Sequence, residues 1–280
     1  MIPTGTTRTA AVIGNPVRHS LSPPIHNAGF RALDLDWVYV AFDIAPGRAA
    51  DAVSAMRALH IGGLSVTMPH KADIAASLDR LTPQARMLGA VNCVAWDQGE
   101  LVGHNTDGGG FVDSLEHETG APVRGTRCLV VGAGGAARAV VLALAESGAA
   151  EVAVLNRTQR KAHAAAELAG DVGRVGAVSD IDEADIVVNA TSVGMDGTGG
   201  AGRLPVPEDR LRDGQIVADL VYHPFVTPLM VAARAAGATV VGGVGMLVHQ
   251  AARQFELWTG HAAPVQAMGD AAAAAIDSHA

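Results

Sequence analysis

Three stretches carry polar side chains where a short apolar run of strand character hands over to a helical pattern, the place where open parallel sheets hold ligands. Gly14-Asn15-Pro16-Val17-Arg18-His19-Ser20-Leu21-Ser22-Pro23 follows the first such run. Ser20 and Ser22 stand one residue apart, so both hydroxyls can aim at one anion such as a carboxylate. Pro23 suits the first turn of a helix, and Ser22 suits the cap of that helix. Ser65-Val66-Thr67-Met68-Pro69-His70-Lys71 follows the third run and predicts Lys71 in the first turn of a helix opened by Pro69. A cation there opposes the helix dipole, which asks for a reason beyond solubility. Gly103-His104-Asn105-Thr106-Asp107 ends a further strand and supplies a carboxylate. Beside Lys71, Asp107 would keep the ammonium protonated, giving a positioned proton donor for an alcohol–ketone interconversion. The plainer uses are a surface lysine and a cap for the helix beginning near Gly108. His19, His26, His70 and His104 sit near these loops without metal-ligand spacing, and they read as structural or supporting residues with no metal.

A second constellation begins at Val130-Val131, where an apolar strand ends in Gly132-Ala133-Gly134-Gly135-Ala136-Ala137-Arg138 and a helix follows. This is G-x-G-x-x-A in a strand-turn-helix setting. The first glycine permits the tight turn, the second lets the backbone approach a pyrophosphate, and Ala137 is small enough for helix–strand packing. The helix start offers unpaired N–H groups to the phosphates. The next strand ends in Asn156-Arg157-Thr158, where an NAD enzyme usually carries an acidic residue for the ribose 2′-hydroxyl. Arg157 can stack on adenine and pair with a 2′-phosphate, and Thr158 and Lys161 can add a hydroxyl and a charge, so the predicted cofactor is NADP.

The elements that must position these residues follow from the alternation of β-branched runs with helical stretches. AAVIG, WVYVAFD and GGLSVT alternate with SPPIHNAGFRAL, PGRAADAVSAMRAL and PHKADIAASL, which implies a mostly parallel sheet. AVNCVAWDQGELVGHNTD reads as a strand pair about a Gln98-Gly99 turn, leading into the helix GGGFVDSLEHE. From Thr126 a second nucleotide-sized sheet is predicted through TRCLVV, EVAVL, ADIVVN, QIVADLVY and AGATVVGG. The tail from Gly245 predicts a helical pair broken near Gly260 and Pro264. Residues 194–210, rich in glycine and without periodicity, read as a mobile loop. The expected class is therefore α/β with two domains.

Composition narrows the function classes. The 280 residues are 49% hydrophobic but only 4% aromatic, with 33 glycines, the balance of a tightly layered α/β protein. Lys and Arg number 20 against 28 Asp and Glu, a net charge of −8 with scattered basic residues, which argues against a nucleic-acid partner. Cys93 and Cys128 lie in apolar strand-like runs without ligand spacing, so neither a disulfide framework nor a zinc site is expected. No apolar run reaches membrane-spanning length and no leader pattern opens the chain, so a cytoplasmic protein without membrane association is expected.

Taken together, these stretches resemble the shikimate dehydrogenase family over nearly the whole chain. GNPVRHSLSPPIHN is similar to the family's substrate-carboxylate motif, which implies Ser20 and Ser22 as carboxylate ligands. SVTMPHK resembles the motif of the catalytic lysine, implying Lys71 in proton transfer and Thr67 in substrate contact. AVNCV with Asn92 and HNTDGGG with Asp107 imply hydroxyl binding by both residues and a partnership of Asp107 with Lys71. GAGGAARA and NRTQRKA resemble the family's NADP loops, and NATSVGM, with Thr191 and Ser192, the segment near the nicotinamide and ribose. VADLVYHPFVTPLM and GVGMLVHQA imply Tyr222 and Gln250 at the substrate and Gly243 and Met246 near the nicotinamide. Two residues depart from the pattern: Ser65 and Cys93 stand where family members often carry Asn and Thr. The resemblance implies a substrate domain of residues 1–107 with the C-terminal helices 243–280, a Rossmann-like NADP domain of residues 108–242, a catalytic cleft between the two, and a reversible NADPH reduction of 3-dehydroshikimate to shikimate in chorismate and aromatic amino-acid biosynthesis. It implies a small-molecule substrate and a monomer or homodimer. Quinate or quinate/shikimate dehydrogenases share these motifs; a non-catalytic NADP-binding sensor or a folate-metabolising dehydrogenase are more distant readings. Lys71 with Asp107 argues against the sensor, and the serine pair against the folate enzyme.

Overall fold

The computed structural model describes residues 2–197 and 199–277. β1 (Arg8–Gly14), α1 (Ser22–Ala32), β2 (Trp37–Asp43), α2 (Ala49–Ala58) and β3 (Gly63–Val66) open the chain, with β2 and β3 parallel to β1 on either side. β4 (Arg80–Leu81), α3 (Pro83–Leu88), β5 (Cys93–Asp97) and β6 (Glu100–His104) complete a sheet of order β2-β1-β3-β5-β6-β4. β5 runs antiparallel to both β3 and β6, so this sheet is mixed. Its hairpin turns on Gln98 and Gly99 at φ 50° and 85°, the paired positive φ that a type I′ turn demands.

α4 (Asp107–Thr119) leads to the second sheet. Its members are β7 (Arg127–Val131), α5 (Gly135–Glu146), β8 (Glu151–Leu155), α6 (Gln159–Ala166), β9 (Gly173–Val175), β10 (Ile186–Asn189), β11 (Ile216–Asp219), α7 (Pro228–Ala235) and β12 (Thr239–Gly242). Strand order is β12-β11-β10-β7-β8-β9 and every pairing is parallel. The central strands read IVVN, RCLVV and EVAVL because both of their faces are covered. α8 (Gly243–Thr259) and α9 (Val265–Asp277) follow, separated by a break that includes Gly260 at φ 72°.

The chain divides into two compact units, residues 1–106 with 248–280, and residues 107–247; of these, 1, 198 and 278–280 lie outside the described residues. The division expected from the sequence lies at 107/108 and 242/243. The junctions shift because α4 already begins at Asp107, and because the first turn of α8 packs on α4, where a Cβ on Gly245 would come within 2.1 Å of Ser114 Oγ and Glu118 Oε1. In the first unit, Ile13, Met56, Leu64, Ile74 and Leu101 form one core. Aromatic rings form a second: Phe30 stacks on Trp37 and Phe255 at 5.3 and 5.2 Å, and Trp258 donates its indole N–H to Val94 O at 3.0 Å. Gly63 makes room for that indole, since a Cβ there would stand 2.3 Å from it.

Several expectations need correction. The stretch PHKADIAASL forms a short 3-10 helix, Asp73–Ser77, anchored by fully buried Ile74, so Lys71 precedes the helix and the dipole argument does not apply to it. Ser22 is the first residue of α1; Leu21 holds the cap position and no side chain caps the helix there. α3 and α7 were not foreseen, although Thr82-Pro83 and Thr227-Pro228 are full start signals in which each threonine accepts from the backbone N–H three residues on. Residues 194–210 are less loop-like than their composition: Val206 is buried in the core, Glu208–Arg210 form a 3-10 turn, and Gly194 N–H donates to Gly200 O at 2.9 Å. Thr198 lies outside the described residues.

Candidate functional site

In the first unit the segment carrying Thr67 and Lys71 is fixed by its backbone. Thr67 N–H donates to Ile13 O at 2.9 Å, Asn15 N–H to Met68 O at 3.0 Å, and Val91 N–H to Lys71 O at 2.7 Å. The buried His70 ring reaches Ile44 O at 2.8 Å and pins the turn from within. Gly14 is required at this point because any Cβ would stand 2.4 Å from Thr67 Cγ2. Thr67 and Lys71 are half-buried, placed by main-chain bonds while their side chains stay at the surface of the unit.

Ser20 is half-buried and Ser22 buried, and Ser20 Oγ accepts from Ser22 N–H at 3.3 Å. Tyr39 donates to Ser65 Oγ at 2.6 Å and Ser65 donates to Gln254 Oε1 at 2.5 Å. The Gln254 amide then meets Gln250 Oε1 at 2.8 Å and Thr106 Oγ1 at 3.2 Å. Thr106 locks Asn92 from both ends: its N–H donates to Asn92 Oδ1 at 2.8 Å, and Asn92 Nδ2 donates to its hydroxyl at 3.0 Å. Asn92 and Gln250, far apart in the chain, are thereby members of one buried polar network.

Tyr39, Thr106 and Gln254 carried no role in the sequence reading. The available signal was the pair Gln250 and Gln254, four residues apart on a helix face otherwise made of Val248, Ala251, Phe255 and Trp258. Such a repeat of polar residues on an apolar stripe places both amides on the buried side.

His26 stacks flat on Tyr39 with ring centroids 4.4 Å apart, fully buried, and neither ring nitrogen has a hydrogen-bond partner. Burial holds its pKa down at about 3, from the usual 6.5. The folded chain therefore refuses a proton that the unfolded chain takes up, so the stabilising effect is complete above pH 6.5 and lost as pH falls towards 3. Denaturant titrations should show stability falling below pH 6.5 with a contribution of up to about 1.4 kcal/mol per pH unit from this residue. His26→Leu should flatten that acid limb; an unchanged pH slope would assign it to other groups.

In the second unit β7 ends at the glycine turn. Gly132 has φ 120°, and a Cβ there would lie 2.8 Å from Ala190 O, so the position admits no side chain. Nothing stands within 4 Å of a Cβ on Gly134 or Gly135, and Gly134, Gly135 and Ala136 are exposed at the start of α5, with Ala133 half-buried behind them. The turn thus presents open backbone at a helix N-terminus, the arrangement that suits a pyrophosphate. At the end of β8 Asn156 donates to Thr158 O at 3.1 Å and shapes the next turn. Arg157, Thr158 and Lys161 are all exposed there, and the Thr158 hydroxyl makes no capping bond to α6.

A buried polar hub also organises the ends of β10 and β11. Asp219 accepts from Asn189 Nδ2 at 2.8 Å, Val221 N–H at 3.1 Å and the Thr227 hydroxyl at 2.6 Å. Burial raises its pKa against the opposing pull of those bonds. Asn189 Oδ1 in turn accepts from both N–H and hydroxyl of Thr191 at 3.1 and 2.7 Å. One carboxylate therefore ties the loop of Thr191 and Ser192 to the loop of exposed Tyr222. Gly243 is buried, with a Cβ there 2.5 Å from Leu220 O, and Met246 packs half-buried on the unit's core.

Residues 12–94 match the model described as the shikimate dehydrogenase substrate binding domain, 114–195 that of shikimate / quinate 5-dehydrogenase, and 243–272 that of the shikimate 5′-dehydrogenase C-terminal domain. A curated "Shikimate dehydrogenase (NADP(+))" from Citrifermentans bemidjiense is 46% identical over 284 residues, covering 98% of this chain and 97% of its own. The chain belongs to the shikimate dehydrogenase family. Its two-unit α/β architecture is the one seen in solved shikimate dehydrogenases. One in complex with NADP+ superposes with a TM-score of 0.91 at 36% identity, covering 98% of both chains. The Thermus thermophilus enzyme in complex with NADP(H) and shikimate gives 0.87 at 38% identity, covering 96% of this chain and 99% of its own. No helix among the described residues is long and apolar enough to cross a membrane.

Proposed function

We infer that this member of the shikimate dehydrogenase family catalyses the NADP-dependent, reversible reduction of 3-dehydroshikimate to shikimate, a step of chorismate and aromatic amino-acid biosynthesis. The observation that carries the reading is the 46% identity, over 98% of the chain, to a curated NADP+ enzyme of that activity. The open glycine turn, with Arg157, Thr158 and Lys161 exposed after the neighbouring strand, fits the cofactor.

Each residue takes a part suited to its setting. Ser20 and Ser22 bind the substrate carboxylate, and Thr67, Asn92, Tyr222 and Gln250 bind the rest of the ring. Gly132, Ala133, Gly134, Gly135 and Ala136 hold the pyrophosphate with backbone N–H groups. Asn156, Arg157, Thr158 and Lys161 hold the adenosine end and its 2′-phosphate. Thr191, Ser192, Gly243 and Met246 line the nicotinamide end. Bound NADPH supplies the hydride that adds to the ketone carbon. Lys71 delivers the proton to the carbonyl oxygen, giving the alcohol, and takes it back in the reverse direction. Asp107 is the partner of Lys71 in that proton transfer. The enzyme acts on its own or as a homodimer, and the two buried, unpaired thiols of Cys93 and Cys128 suit the reducing cytoplasm.

The direct test is absorbance at the reduced-nicotinamide band with shikimate or quinate and NADP or NAD in all four combinations. Fast turnover with shikimate and NADP is the expected result. Dominance of quinate with NAD would keep the Lys71 mechanism and overturn the cofactor and substrate assignment; silence in all four would overturn the enzymatic reading.

A further inference from the structure

Gln254 lies one helical turn beyond Gln250 on α8, and its amide orientation has a single solution. Asn92 O is a backbone carbonyl that only accepts, and it lies 3.4 Å from the Gln254 amide nitrogen, so that end is the NH2. The same nitrogen faces Gln250 Oε1 at 2.8 Å, which must be the accepting end of that second amide. The other end of Gln254 is then a carbonyl, and Ser65 Oγ donates to it. Ser65 has one proton, now used, so its oxygen receives the phenol proton of Tyr39. Donation runs one way, from Tyr39 to Ser65 to Gln254 to Gln250. Gln250 has its carbonyl turned to Gln254, and its NH2 is the opposite end.

We propose that Gln254, oriented by Ser65 and Tyr39, is a positioning residue that fixes the Gln250 amide with its NH2 toward the substrate, so that Gln250 selects an acceptor oxygen there. This rests on the reading of Gln250 as a substrate residue. It also gives Ser65, the departure from the family's frequent Asn, a role behind the substrate layer, since its donor and its acceptor face are both engaged within the unit. The titratable groups packed around the chain leave it uncharged over the working range. Burial raises the Tyr39 phenol and the Cys93 thiol, and His26, stacked on Tyr39, stays neutral. The sense of the chain therefore does not reverse with pH in the native protein.

Two substitutions in the full-length enzyme test this. Gln254→Met keeps length and removes both hydrogen-bonding ends; KM for shikimate should rise about 10-fold, with kcat within about threefold and KM for NADP unchanged. Gln254→Glu adds a readout that a packing role would not move. A protonated carboxyl donates as the amide does, whereas an ionised one only accepts and turns Gln250 around. The ratio of variant to wild-type KM for shikimate should climb about 10-fold from pH 6 to pH 9. Lys71 and Asp107 act on both proteins alike, so the ratio isolates residue 254. A ratio flat with pH, or a Met variant with normal KM, overturns the relay. Gln250→Leu separates the two levels: raised KM in that variant with normal Gln254 variants leaves the substrate reading standing and removes the relay. Normal KM in all three removes both. If the Met variant does not fold by thermal melting, Gln254→Glu and Ser65→Ala carry the test, the latter expected to raise KM for shikimate by a similar factor.

Discussion

Replacing Lys71 by alanine should lower turnover by about 100-fold or more, with little change in cofactor affinity, because a positioned acid or base is typically worth 100- to 10,000-fold. The residue stands at a point where the chain is held by main-chain bonds: Val91 N–H donates to Lys71 O, and Thr67 N–H and Asn15 N–H fix the residues before it. Those bonds survive the substitution, so the variant keeps its fold and loses only the ammonium. Ketone reduction without that group must draw its proton from water, which lacks the fixed placement. Steady-state rates with shikimate and NADP, set beside a fluorescence titration of NADPH, give the answer. Near-normal turnover would remove Lys71 from the proton step, and loss of NADPH binding in parallel would mean that the effect is structural.

How far the sequence led depended on whether each signal was local. The glycine turn was legible because Gly132 is needed for a positive φ and for the close approach of Ala190 O, constraints that only one residue type meets. The hairpin at Gln98-Gly99 and the break near Gly260 were legible for the same kind of reason. Lys71 and the serine pair stood out as polar residues at strand ends, yet the local geometry around both was misjudged. The stretch after Pro69 has helical composition, but His70 and Lys71 at its start are tied to Ile44 and Val91 by contacts that no window of sequence reveals. Ser22 has the residue type of a cap, yet α1 starts on it and Leu21 holds the cap position. The polar network is hidden in the same way, since the bond from Ser65 to Gln254 spans 189 residues. Asp219 was passed over inside an apolar strand. A buried acid in such a run nonetheless requires partners, and the three donors around it are those partners.

Arg157→Ala should lower kcat/KM with NADP by roughly 10- to 100-fold while leaving the much slower reaction with NAD nearly unchanged, which is the loss of one or two charge-assisted hydrogen bonds to a phosphate. The side chain is exposed at the end of β8, so truncation leaves no cavity and no orphaned partner in the core. The turn that carries it is held independently, by Asn156 Nδ2 donating to Thr158 O and by Lys161 and Ala162 N–H donating to the same carbonyl. Backbone placement of Thr158 and Lys161 is therefore retained, and these two keep part of the discrimination. Adding Lys161→Ala should deepen the loss with NADP and again spare NAD. High salt should narrow the difference between wild type and variant, because a surface guanidinium acting on a phosphate is screened. An equal loss with both cofactors would mean that Arg157 serves the adenine or the turn, and the preference for NADP would then have to come from Thr158 and Lys161.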